Sequence, residues 1–211
     1  AGRQGPPLLQ TYFDLARLLR KGAVYSRTSG AIFRLGPVVG LSTALSAGLL
    51  VPLCGAPAPL GFAGDVILFG YLLGLGRFFT MAAALDTGSS FEGMGASREA
   101  TFSALVEPAL FAALIILCVP SKALSISGAL VALPTTSWGV AHPVYFIAAA
   151  ALFVVLLAEC SRIPVDDPNT HLELTMVHEV MVLDHSGPDF GFIVYAGALK
   201  LYVLGALLLG A

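Results

Sequence analysis

Charge is what this sequence has least of. Of its 211 residues, 11% are Asp, Glu, Lys or Arg, whereas 57% are hydrophobic. The mean hydropathy is +0.86. A soluble domain carries about a quarter charged residues. Polar surface on the scale needed to cover a globule in water is therefore missing, and a fold this small cannot hide the apolar remainder. A basic excess is missing too: 11 Lys and Arg stand against 13 Asp and Glu, for a net charge of −2. No bulk positive field recommends a nucleic-acid partner. The three cysteines, Cys54, Cys118 and Cys160, lie far apart and form no CxxC pair. That excludes a self-contained zinc ribbon, an iron–sulfur ligand set or a disulfide framework, and leaves them as small hydrophobes. No cleavable signal peptide is visible, and the chain opens on a polar, basic stretch rather than on Met. Its ends read as trimmed.

What is present is apolar and continuous. A bilayer core needs roughly 20 apolar residues in a helix. Five stretches meet that need: about Ile32 to Leu53, Gly61 to Leu85, Ala100 to Pro120, Pro143 to Ala158 and Phe190 to Gly210. Each must be helical, because an isolated strand cannot satisfy its backbone in lipid. The expected fold is all-α, a polytopic transmembrane protein with five visible spans. Gly70, Gly74, Gly76 and Ala148 to Ala151 supply small residues for close helix contact. Six of the 11 cations, Arg3, Arg17, Arg20, Lys21, Arg27 and Arg34, fall within the first 34 residues. This bias places the N-terminus in the cytoplasm. The loops Asp86–Glu99 and Glu159–Asp189 are then cytoplasmic, and Ser121–His142 is external.

Residues 1–30 form a cytoplasmic segment ahead of the transmembrane domain, residues 31–211. Within it, Leu8 to Leu19 interleaves apolar residues with Gln10, Asp14, Arg17 and Arg20. The pattern predicts a short amphipathic helix in the interface, begun by Pro6 and Pro7 and ended by Gly22.

Ionisable groups at depth in a membrane are costly and mark function. Glu107 lies about two turns inside the third span, Glu99 sits at its cytoplasmic mouth, and Ser103 lies between them near one face. Two carboxylates and a hydroxyl so placed can form a short proton path with water. Arg77, inside the second span, is a candidate counter-charge for Glu107 or a paired structural charge. Asp65 reads as a solvated helix start, and Lys200 can snorkel or pair.

Seven of the 13 acids fall between Glu159 and Asp189: Glu159, Asp166, Asp167, Glu173, Glu179, Asp184 and Asp189. Arg162 is the cation beside them. Anionic lipid would repel such a loop, so it faces protein or a water-filled cavity. Asp167 suits an N-cap with Pro168 following, which predicts a helix running to about His185 and stopped by Gly187 and Pro188. His171, His178 and His185 recur every seven residues and share a stripe on that helix. Neighbours at that spacing lie about 10 Å apart, too far to share one ion. The pattern is not HExxH. Proton handling or polar contact with a partner suits them better than metal.

These residues resemble a known family. The segments are Gly2-Arg3-Gln4-Gly5-Pro6-Pro7, the run Gly93 to Glu99, and Ala158-Glu159 followed by Arg162, Pro164 and Asp166. They are similar to the family that holds subunit 1 of respiratory complex I and the matching membrane subunit of group 4 NiFe hydrogenases, including formate hydrogenlyase. The run Pro164 to Glu179 resembles the hydrogenase branch. The quinone-reducing branch typically has Phe where Val165 stands and glutamates where Asn169, Thr170 and His171 stand.

The resemblance implies a fragment of an eight-span subunit, covering its second to sixth spans, in the cytoplasmic membrane of a prokaryote. It implies a non-catalytic coupling subunit that anchors the hydrogenase large and small subunits and passes charge or protons toward antiporter-like membrane subunits. Glu99, Glu107, Glu159, Asp166, Asp167, Glu173 and Glu179 would form that path, with Arg162 holding the loop by ion pairs. The NiFe centre and iron–sulfur clusters would sit in partner subunits, with no cofactor or metal in this chain. Two other readings stay open: a quinone-binding subunit of a complex I-like enzyme, and an autonomous ion transporter, although no inverted repeat is visible.

Overall fold

The computed structural model describes residues 5, 7, 9–53, 56–132, 142–166 and 176–210. Eight helices lie among them: α1 (Gln10–Arg20), α2 (Ala31–Gly48), α3 (Asp65–Asp86), α4 (Ser90–Cys118), α5 (Ile126–Ala132), α6 (His142–Glu159), α7 (His178–Met181) and α8 (Gly187–Gly210). α2, α3, α4 and α8 are long and apolar enough to cross a membrane, and α6 is a shorter apolar helix. The protein is a multi-pass membrane protein, with one of these helices in each apolar stretch read from the sequence.

α3 packs between α2 and α4, α8 packs on α2, and α6 lies against α4 and α8. The main core sits among them, built around Phe69, Leu73, Leu110, Leu114, Leu152 and Leu207. Lipid is as apolar as these side chains, so close packing rather than water exclusion holds the helices together. Gly76 illustrates the requirement. A β-carbon there would stand 2.6 Å from the Thr43 hydroxyl oxygen, so α2 and α3 approach this closely only over glycine.

Three aspartates tie helix ends to distant segments. Asp86 ends α3, and its carboxylate accepts from the backbone N–H groups of Gly30 and Phe33 at 2.7 and 3.1 Å. It thereby caps α2, whose first N–H groups have no partner within the helix. Asp65 begins α3 but is not solvated. It is fully buried, and it accepts from the Ile126 N–H at 2.8 Å and the Ser125 hydroxyl at 3.1 Å at the start of α5. A helix in the expected external loop needs an anion at its N-terminus, and Asp65 supplies it. Asp166 accepts from the His178 N–H at 2.9 Å and so holds α7.

Two further boundaries differ from expectation. The middle loop shrinks to Thr87–Ser89, because α4 starts at Ser90, ten residues before Ala100. Gly95 is tolerated inside it because the Val177 carbonyl and Met181 pack where its side chain would be. The acidic loop holds no helix running to His185. Among its described residues α7 spans four residues, and Gly187 and Pro188 open α8 instead of ending a helix. Gly187 has φ +55°, and a β-carbon there would lie 2.7 Å from the Gly22 carbonyl oxygen. That turn docks the chain after α1 onto the start of α8, and Leu18 and Leu19 of α1 pack over Gly191.

His178 and His185 do not share a helix, and His171 lies outside the described residues, as do Asp167 and Glu173. His185 stacks on Phe33, with ring centroids 4.0 Å apart and planes 6° apart. Tyr25 meets the same Phe33 edge-on, and the Arg34 guanidinium lies over Tyr25. His178 instead lines a cavity.

Candidate functional site

Four helices each contribute one charged side chain to a single row. Arg77 lies near the middle of α3. Its Nη2 stands 2.5 Å from Glu159 Oε1 at the end of α6 and 3.4 Å from Glu107 Oε1 in α4. Glu159 Oε2 in turn accepts from Lys200 Nζ of α8 at 3.4 Å. The order is Glu107, Arg77, Glu159, Lys200, so the signs alternate and sum to zero. That balance is what allows four charges inside an apolar bundle, since each desolvated charge needs a partner of opposite sign.

Exposure is uneven along the row. The Arg77 and Glu159 side chains are 5% and 0% exposed, Lys200 is 22% exposed, and Glu107 is 46% exposed. The middle is sealed and both ends are open. One guanidinium nitrogen serves two carboxylates, and neither contact is an aligned hydrogen bond. Arg77 thus has two acidic neighbours, Glu159 being the nearer.

The Lys200 end opens on a cavity of about 70 Å³, room for a few waters. Thr43, Thr80, Glu159, Ser161, His178 and Lys200 are the polar residues of its wall. Burial, reinforced by the Lys200 charge and opposed by Asp166, lowers the His178 pKa to about 4, so the imidazole is neutral at physiological pH. Burial likewise pushes the Cys160 thiol up to about 11, which leaves it unreactive.

Glu99 is buried beside this row. Lys200 and Arg77 are the cations acting on it, and Glu159 and Asp166 are the neighbouring anions. Ser103 is buried too, and its hydroxyl donates to the Glu99 backbone carbonyl at 2.8 Å. Glu179 is exposed and takes no part in the row's ion pairs. Arg162 is exposed and makes no ion pair with a described residue. Its backbone carbonyl instead accepts from Val165 at 2.8 Å and Asp166 at 3.3 Å, and so forms the turn after α6.

Sequence reasoning missed the role of Lys200 and the whole of Glu92. Glu92 is buried at the start of α4, and it accepts from the Asp184 N–H at 3.3 Å. Its only sequence signal was an acid in the first turn of a helix whose start had been placed too late.

The sequence model of the NADH dehydrogenase family matches residues 1–209. The chain belongs to that family. Hydrogenase-4 component C of Escherichia coli is 34% identical over 97% of this chain and 64% of its own length. Formate hydrogenlyase subunit 4 of the same organism is 32% identical, over 99% and 66%. A more distant likeness joins an NADH-quinone oxidoreductase subunit of Cytophaga hutchinsonii, at 27% identity over 98% and 62%. The chain thus spans just under two thirds of the relatives it matches. Among solved structures, an archaeal respiratory membrane complex, the membrane-bound sulfane sulfur reductase, contains a similar fold. The TM-score is 0.79 at 23% identity, covering 96% of this chain and 65% of that one.

Proposed function

We propose that this chain is the membrane-anchoring and ion-coupling subunit of a group 4 NiFe hydrogenase complex of the formate hydrogenlyase type. The observation that carries the proposal is the neutral row from Lys200 to Glu107, buried in the middle and open at both ends. The likeness to two hydrogenase components supports the branch.

The row's chemistry follows from its balance. A proton arriving at Glu159 from the cavity cancels the partner of both Arg77 and Lys200. Arg77 then pairs more strongly with Glu107, already 3.4 Å away. The gain or loss of one proton at the cavity is felt at the far face as a displaced guanidinium. Glu99, beside Lys200, serves as a second carboxylate at the cavity end. The loop from Glu159 to Asp189 is the input side, where the hydrogenase large and small subunits would dock from the cytoplasm. The NiFe centre and iron–sulfur clusters belong to those partners, and the far face delivers to antiporter-like subunits.

The likeness to an NADH-quinone oxidoreductase component raises the quinone reading. The two hydrogenase components are the more similar relatives, at 34% and 32% identity against 27%, and that favours the hydrogenase reading. A photoreactive quinone that labelled the loop in the purified complex would reverse this preference. The main reading is tested by purifying the complex from its native host and reconstituting it in vesicles. A co-purifying NiFe large subunit and ion movement during hydrogen turnover are expected. A complex without that subunit, or turnover with no ion movement, would sink it.

A further inference from the structure

Glu107 presents a problem that nothing within the described residues solves. It lies about 16 Å from the far end of α4 by helical rise, near the middle of a hydrocarbon core about 30 Å thick. Yet 46% of its side chain faces outward. Arg77 is its one ion-pair partner among the described residues, and Arg77 stands closer to Glu159. A carboxylate turned toward lipid has no donor to satisfy it.

The same face carries two more polar groups. Pro108 lies within α4 and has no N–H, so the Ala104 carbonyl loses its regular helical donor. Ala104 and Pro108 are both exposed. The Tyr71 side chain is exposed on α3 beside them, with its ring against Phe111. Phe78, about two turns along α3 from Tyr71, is exposed on the same stripe and extends the apolar surround. A carboxylate, an orphaned carbonyl and a phenol rimmed by aromatics suit a helix that brings donors, not a lipid tail.

We infer that the outward face of α3 and α4 around Glu107 is the docking surface for a transmembrane helix of another subunit. That helix carries a cationic or hydrogen-bond-donating side chain at the depth of Glu107. Charge complementarity fixes the partner's chemistry. The inward cations among the described residues are already engaged, so the missing donor is not among them. Gly74 helps, because its lack of a side chain leaves room for the Glu107 carboxylate 3.2 Å from where a β-carbon would be. The inference rests on the proposed place of this chain in a multisubunit complex, and it adds the surface and the chemistry of the neighbour.

The test uses the complex purified from its native host, with a photoreactive benzoylphenylalanine replacing Phe78 or Tyr71. Both positions are exposed at this face. After irradiation, mass spectrometry is expected to find a cross-link to a transmembrane segment of another subunit with Lys, Arg, His, Asn, Gln, Ser or Thr within one turn. Glu107→Leu should lower recovery of that subunit several-fold in detergent, while Glu107→Gln, which still hydrogen-bonds, should retain it. Adducts confined to lipid or to this polypeptide, a captured helix lacking such a side chain, or full recovery with Glu107→Leu would each overturn the inference. Those results leave the ion-coupling reading standing, since they do not depend on ion movement. A chain that purifies with no other subunit overturns both.

Discussion

Removing Arg77 isolates the energetic weight of the row. Arg77→Met keeps much of the length and apolar bulk of the side chain but leaves Glu107 and Glu159 facing each other with one cation, Lys200, for both. The Arg77–Glu159 contact is the short one at 2.5 Å, and the Glu159 side chain is fully buried. With charge centres about 4 Å apart and an effective dielectric near 20, the lost attraction is about 4 kcal/mol. That agrees with the roughly 3–5 kcal/mol expected when one partner of a buried pair is removed. The Glu107 arm adds little, because it is longer and half exposed. For a domain of this size, each kcal/mol moves Tm by roughly 2–4 °C, so the drop should be on the order of 10 °C. The assay is thermal unfolding of the purified complex, with Arg77→Met/Glu159→Gln as the companion variant. The double variant is neutral again, since Glu107 and Lys200 remain, and should recover most of the loss. A single variant within about 2 °C of the parent, or a double variant less stable than the single, would refute the balance argument.

The other expectations are shorter. Glu107→Gln should leave assembly intact but reduce ion movement per turnover in vesicles; unchanged pumping would remove Glu107 from the path. His178 has a folded pKa of about 4 against an ordinary 6.5, so the unfolded chain binds the extra proton between those values. Stability is therefore expected to fall as pH drops from about 6.5 toward 4, and His178→Gln should flatten that dependence in a Tm-versus-pH series. Gly187→Ala places a methyl group 2.7 Å from the Gly22 carbonyl oxygen at φ +55°. It should cost about 1–3 kcal/mol and raise protease cleavage at Arg17 and Arg20 as α1 undocks; unchanged proteolysis would show that the turn is not what holds α1.

The spans were legible because bilayer thickness sets a length that composition reveals directly. Arg77 and Glu107 stood out for the same reason: each is a charge well inside an apolar run. The pairing was not legible. Arg77 meets Glu159, 82 positions later, only because α3 and α6 both pack on α4, and no local pattern encodes that. Lys200 stayed undecided because snorkelling and pairing look alike until the neighbouring helix is known. The expected sharing of one helix by His178 and His185 failed for a different reason. A period of seven suggests one helical face, but α7 ends at Met181, and His185 lies beyond it in the turn that Gly187 closes against Gly22. The aspartate caps were hidden as well. Asp65, Asp86 and Asp166 read locally as solvated or loop acids, whereas each serves a helix that begins elsewhere in the sequence.

These caps and the row share one physical logic. In lipid, neither a helix end nor a carboxylate can turn to solvent, so each must find a fixed partner inside the protein. The caps are closed pairs: Asp86 meets two N–H groups of α2, and Asp65 meets the start of α5. Such pairs hold geometry, and disturbing them should cost stability alone. The row differs in that its central cation is shared between two acceptors and its two ends are open, one to a cavity and one to the α3–α4 face. A purely structural network would gain from closing those ends, because every exposed charge in a membrane adds cost. Leaving them open makes sense where charge must enter at one end and be felt at the other, and where the outer end meets the neighbouring helix proposed above.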